Sequence, residues 1–156
     1  LSFPKKAESI CKSLCEKITK EFNRIDIILS PAIGGIVVGY EIGRQLNIQT
    51  IFAERLNNKL TLRRGFAIPK NSNVLIIEDV ITTGKSALEC LEIIKINKSN
   101  LVGYGCIIDR SSDKILIKSK IISQIKFKID TFNDNNLPEE LKKIQPTKPG
   151  TRNISK

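Results

Sequence analysis

The stretch from Asn73 to Ser86, NVLIIEDVITTGKS, constrains this chain more than any other. Val74, Leu75, Ile76 and Ile77 form a short apolar run rich in β-branched residues, the pattern of a strand buried on both faces of a parallel sheet. Two carboxylates, Glu78 and Asp79, sit where that strand should end, and Thr82, Thr83 and Gly84 make a small hydroxylated turn. From Ser86 onward, Ala87, Leu88, Leu91 and Ile94 carry a helical pattern. Strand, acidic pair, turn and helix start arrive within 14 residues, which points to an α/β fold.

Each part of that unit suits one kind of ligand. N–H groups freed at a helix start point outward and the macrodipole adds partial positive charge, so Thr82 to Ser86 offer a cradle for a phosphate monoester. The hydroxyls of Thr82, Thr83 and Ser86 add donors, and Lys85 adds a full charge. Carboxylates beside a phosphate repel it unless they accept hydrogen bonds from hydroxyls or hold a divalent cation. A ribose with a phosphate at one end and two hydroxyls along its edge meets both conditions. A P-loop is rejected, because its pattern needs a glycine five residues before Gly84 and that position is Asp79. An ordinary capped turn accounts for Thr82, Thr83 and Gly84 but not for an acidic pair ending an apolar strand.

The rest of the chain supplies matching parts. Pro4 opens a helix in which Ala7, Ile10, Cys11, Leu14, Ile18 and Phe22 recur at helical spacing. Ile25 to Leu29 reads as a short buried strand. Ser30 to Leu46, SPAIGGIVVGYEIGRQL, reads as a glycine-rich loop and then a helix from about Ile36. Gly34 and Gly35 let backbone amides approach an anion, but the spacing is not G-x-G-x-x-G and gives no dinucleotide fold. Gln49 to Ala53 reads as the next strand. Glu54 to Phe66 reads as a hairpin turning at Asn57 and Asn58, with cations at Arg55, Lys59, Arg63 and Arg64 that a solvated hairpin would also carry. Leu101 to Asp109 is a further strand, and Arg110 just past its carboxyl end faces the crevice with a planar fork that matches a carboxylate. Ile121 to Phe127 is a last strand, Leu137 to Ile144 a short helix and Pro146 to Lys156 a polar tail.

Composition narrows the functional classes. At 156 residues the chain is one domain's worth, with 24–112 its specific core, and no apolar run approaches a membrane span or a signal peptide, so the expected setting is the cytoplasm. The net charge of +10 comes from scattered lysines with few aromatic residues, so nucleic-acid binding ranks below phosphate-rich small substrates. Cys11, Cys15, Cys90 and Cys106 fall inside apolar patterns without a histidine anywhere in the chain, and read as buried thiols. The chain contains no methionine and begins at Leu1, from which we expect an N-terminal portion ahead of it, or a start codon other than the usual one.

IIEDVITTGKS resembles the phosphoribosyl-diphosphate signature of the type I phosphoribosyltransferases: several apolar residues, two acids, two apolar residues, Thr, a small residue, Gly and a nearby hydroxyl. With FAER and LRRGF flanking the hairpin and IIDRS after the later strand, the chain is most similar to the orotate enzymes of that family. The C-terminal segment ending KPGTR is similar too, although Leu137, Glu139 and Glu140 stand where that subset carries cysteines. The resemblance implies an open parallel sheet of about five strands with helices on both faces and a β-hairpin flap. It implies transfer of ribose 5-phosphate from phosphoribosyl diphosphate to orotate, with Glu78, Asp79 and Lys59 as catalytic residues. Phosphoribosyl diphosphate would lie on Glu78, Asp79, Val80, Ile81, Thr82, Thr83, Gly84, Lys85 and Ser86, on Ala32, Ile33, Gly34 and Gly35, and on Arg55. Orotate would lie on Thr82 and Arg110. Mg²⁺ would come with the substrate, with Glu78 and Asp79 as candidate ligands, and the family expectation is a homodimer sharing its active sites. The family's N-terminal hood over the base would precede Leu1. Two alternatives stay open from the residues: a phosphoribosyltransferase for another base, and a non-catalytic or truncated binder of phosphoribosyl diphosphate.

Overall fold

Proline at the first helical position and apolar residues at helical spacing give α1, Pro4–Glu21, which buries Ala7, Cys11, Leu14, Cys15 and Ile18. The protein is described here from a computed structural model covering residues 1–112, 115–129, 132 and 134–145. β1 follows at Ile27–Pro31, then α2 at Gly34–Leu46, β2 at Gln49–Leu56, β3 at Lys59–Leu62 and β4 at Asn73–Ile81. α3 spans Lys85–Ile96, β5 Asn100–Asp109 and β6 Ile121–Lys126, and a short α4 covers Glu139–Lys142. The expected tail at Pro146 to Lys156 lies outside the described residues.

The six strands form one sheet in the order β3-β2-β1-β4-β5-β6. The five strands expected to be parallel are so, and the expected hairpin is β2 and β3: β3 pairs antiparallel with β2 at the sheet edge, which makes the sheet mixed. Asn57 and Asn58 turn it with φ of 47° and 63°, the left-handed pair that a two-residue hairpin loop requires. Its base is anchored because Leu60 and Ile68 are buried in the core and Phe66 packs edge-on against Phe52, with ring centroids 5.0 Å apart.

Alternation along the strands feeds two cores. On one face Val74 and Ile76 join Ile27, Leu29, Ile51 and Ala53 beneath Ala87, Cys90 and Ile94 of α3. On the other, Ile28, Leu75 and Ile77 meet Cys11, Leu14 and Ile18 of α1 and Val38 and Ile42 of α2. Helices therefore cover both faces, as continuously apolar parallel strands demand. All four cysteines are free and buried; burial, followed by the Glu41 charge, pushes the Cys11 thiol up to about 11. Among the described residues no helix is long and apolar enough to cross a membrane.

Candidate active site

The strand order reverses between β1 and β4, which carry on to β2 in one direction and β5 in the other. At such a switch point the two connecting loops diverge to opposite faces and leave a crevice at the carboxyl ends of the strands. Both segments singled out in the sequence end there. β1 pairs with β4 from Ile27 opposite Val74 to Leu29 opposite Ile76, and that pairing goes no further, whereas β4 stays paired with β5 out to Ile81 opposite Asp109. The acidic pair thus lies inside β4, which runs on to Ile81, not at its end as expected. The longer strand follows from β5, whose partners carry β4 onward after β1 has stopped.

The loop after β1 fills the place β1 vacates. It is shorter than expected: only Ala32 and Ile33 separate β1 from α2, and Gly34 and Gly35 form the first helical turn, with the Ile36 amide donating to the Ile33 carbonyl at 3.2 Å. The Ala32 amide ties the loop to Ala53 of β2 at 2.8 Å, and the Ala32–Ile33 peptide bond is cis. Gly34 lies directly against Asp79: a Cβ there would come within 2.7 Å of the Asp79 Cγ. The backbone suited to a diphosphate and one of the two carboxylates therefore share a wall of the crevice.

Neighbouring strand residues face opposite sides of the sheet, so the two acids straddle β4. Asp79, half-buried, faces α2 and Gly34. Glu78 is only 8% exposed and stands on the α3 side, level with Cys106 of β5. Its charge is felt there: burial first and the Glu78 carboxylate second push the Cys90 thiol up.

Beyond Ile81 a three-residue turn leads into α3. Gly84 has φ +79° and caps α3, a conformation that favours glycine, and a Cβ there would meet Ile117 Cγ1 at 2.7 Å. Leu88 makes the first intrahelical bond, to the Gly84 carbonyl at 2.9 Å, so the amides of Lys85, Ser86 and Ala87 precede the helix ladder. Thr83 Oγ1 accepts from the Lys85 amide at 3.4 Å, while Thr82, Thr83 and Lys85 are exposed. Val80 is half-buried and Ile81 buried, so those two contribute backbone and packing to the strand end.

Arg110 is exposed at the end of β5 and its amide donates to the Ile81 carbonyl at 2.8 Å, which places it beside the turn. Asp109, 3% exposed, anchors that corner: it accepts from the Ser111 amide at 2.8 Å and pairs with Lys126 at 3.3 Å. Burial opposes its charge, but the Ser111 hydrogen bonds and the Lys126 ammonium outweigh that and hold the carboxyl below the usual carboxylate range.

The hairpin cations divide. Pro31 is level with Ala53, so Leu56, three residues on, stands about 10 Å beyond the end of β1 at a strand's rise per residue. Lys59 is exposed at that tip. Arg64 is held by Glu54 through contacts of 3.0 and 2.8 Å, with Arg63 4.0 Å from the same carboxylate. Arg55 does not reach out alone: its guanidinium forks onto Glu89 of α3 at 3.1 and 3.2 Å. Glu89 went unnoticed in the sequence because a single acid on an amphipathic helix reads as solvated surface.

Residues 4–142 match the family described as the phosphoribosyl transferase domain. The chain belongs to that family. It is 46% identical to the orotate phosphoribosyltransferase of Methylorubrum extorquens (strain PA1) over 156 residues, 99% of this chain and 80% of that one. The orotate phosphoribosyltransferase of Caldanaerobacter subterraneus subsp. tengcongensis is 39% identical over 97% of this chain and 79% of its own. Among solved structures, orotate phosphoribosyltransferase from Aeropyrum pernix superposes with a TM-score of 0.68 at 16% identity, covering 81% of this chain and 75% of that one. Adenine phosphoribosyltransferase from Thermoanaerobacter pseudethanolicus gives 0.66 at 17%, covering 76% and 79%. At those identities the superpositions speak for a shared phosphoribosyltransferase fold.

Proposed function

We propose that this chain transfers ribose 5-phosphate from 5-phospho-α-D-ribose 1-diphosphate to orotate, releasing diphosphate and forming orotidine 5′-phosphate for pyrimidine synthesis. The observation that carries the site reading is the meeting of Gly34 with Asp79 at the switch point, one strand end from the Thr82–Ser86 turn. The relatives at 46% and 39% identity carry the choice of base.

In this reading the amides and hydroxyls of Thr82, Thr83, Gly84, Lys85 and Ser86 fix the 5′-phosphate, and the backbone of Ala32, Ile33, Gly34 and Gly35 takes the diphosphate. Glu78 and Asp79 accept from the ribose hydroxyls and favour the positive charge that builds at the anomeric carbon as its bond to diphosphate breaks. Arg110 pairs with the orotate carboxylate and Thr82 borders the base; Lys59 approaches the diphosphate from the hairpin, with Arg55 behind it on Glu89. A ring nitrogen of orotate forms the new bond, and catalysis is by positioning and electrostatics.

Mg²⁺ suits this donor set. This ion is commonly held by one or two carboxylates together with substrate phosphates, and Asp79 stands against the Gly34 loop that would take the diphosphate. Bound there it would offset charge on the leaving diphosphate. The outer face of α2 leaves Ile33 80%, Val37 51% and Tyr40 65% exposed at helical spacing, an apolar stripe that supports the homodimer. Four reduced thiols agree with a cytoplasmic setting.

The test is a base competition. With phosphoribosyl diphosphate and Mg²⁺, the protein is expected to consume orotate and release equimolar diphosphate, leaving adenine and guanine untouched. Consumption of a purine in place of orotate would overturn the base assignment, and chelation of Mg²⁺ without loss of rate would overturn its role.

A further inference from the structure

Glu89 is the point at which the hairpin is fastened to the phosphate turn. It lies four residues after Lys85, one helical turn into α3, with its side chain 20% exposed. Its Oε2 accepts from the Leu60 amide at 3.0 Å and from Arg55 Nη1 at 3.1 Å, and its Oε1 accepts from Arg55 Nη2 at 3.2 Å. Arg55 and Leu60 are the cross-strand pair next to the hairpin tip, so one carboxylate grips both strands. Arg55 Nη1 also donates to the Asn58 carbonyl at 2.7 Å, which extends the grip into the turn itself. Burial opposes the charge of Glu89, but Arg55, the Leu60 amide and Lys85 outweigh it and hold the carboxyl below the usual range.

The geometry points to Glu89 as a positioning residue that locks the hairpin, with Arg55 and Lys59, in register over the diphosphate while belonging to the helix that cradles the 5′-phosphate. This rests on the phosphoribosyl-diphosphate reading of the site. A planar bidentate pair fixes direction as well as distance, which a single exposed lysine cannot do. Two loops that must close on opposite ends of one substrate are thereby set by one helix.

Glu89→Gln keeps a carbonyl oxygen for the Leu60 amide and removes the charged fork. By calorimetry the variant is expected to bind phosphoribosyl diphosphate about tenfold more weakly, and ribose 5-phosphate, which lacks the diphosphate, within about twofold of the parent. KM for orotate should stay constant, and in an Arg55→Gln background Glu89→Gln should add less than about twofold. Equal weakening of both ligands, or fully additive losses in the double variant, would overturn the assignment, since Glu89 would then act through the helix start or apart from Arg55. A parent protein that binds phosphoribosyl diphosphate but ignores orotate overturns the base assignment alone and leaves the calorimetric comparison intact.

Discussion

Asp79→Asn is expected to lower kcat for orotidine 5′-phosphate formation by about a hundredfold or more while the protein stays folded. The amide keeps the shape that fits against Gly34 and removes only the negative charge that, in the proposed reading, favours the cationic anomeric carbon. A hundredfold corresponds to about 2.7 kcal/mol of transition-state stabilisation, within the range measured when one preorganised electrostatic group is removed. Glu78→Gln should cause a loss of similar order from the other side of β4. Steady-state rates with a thermal melt as control decide the matter. Rates within threefold of the parent in both variants would remove the acids from the chemistry.

Gly34→Ala should damage the protein at a position where the substitution would ordinarily help. In a helix, alanine is favoured over glycine by about 1 kcal/mol. Here the new methyl would stand 2.7 Å from the Asp79 Cγ, well inside contact distance, so the loop or the carboxylate must give way. The atoms it meets are the end of the Asp79 side chain, so turning that carboxylate aside relieves part of the strain and the remainder offsets the helix gain, leaving the melting temperature at or slightly below the parent's. Displacing the loop or the carboxylate by about 1 Å should also cost up to about a hundredfold in kcat/KM for phosphoribosyl diphosphate. The double variant Gly34→Ala with Asp79→Ala removes the clash, so its melting temperature should recover while its activity does not. If Gly34→Ala alone melts higher than the parent and turns over normally, the two segments do not share the wall described.

What could be read from the sequence and what could not divide along one line. Features fixed by local chemistry were legible: apolar strands, a turn at two asparagines, a glycine in the turn before α3, and acids followed by hydroxyls. Features fixed by a partner distant in the chain were not. β4 runs past the acids because β5 continues beside it, and neither segment alone says so. The start of α2 at Gly34, two residues early, depends on a loop wedged against Asp79 from another strand. Arg55 reads as a free cation until α3 is folded over β2 and brings Glu89 to it. Asp109 likewise reads as the residue before Arg110, and only the arrival of Lys126 from β6 makes it the anchor of that corner. The assignment of the site to the family came from a short local motif; the geometry that joins its parts came from the sheet order.

The central claim is that a sugar phosphate sits at the β1–β4 switch point, on the turn that opens α3. Backbone amide exchange measured with and without ribose 5-phosphate tests it most directly. The account predicts slowed exchange at Lys85, Ser86 and Ala87, with Gly34 and Gly35 joining them only when phosphoribosyl diphosphate replaces the monophosphate. The contradicting result is protection confined to the groove between α1 and α2, lined by Lys5, Lys12 and Arg44 together with Glu8 and Glu16, with the amides of the turn unchanged.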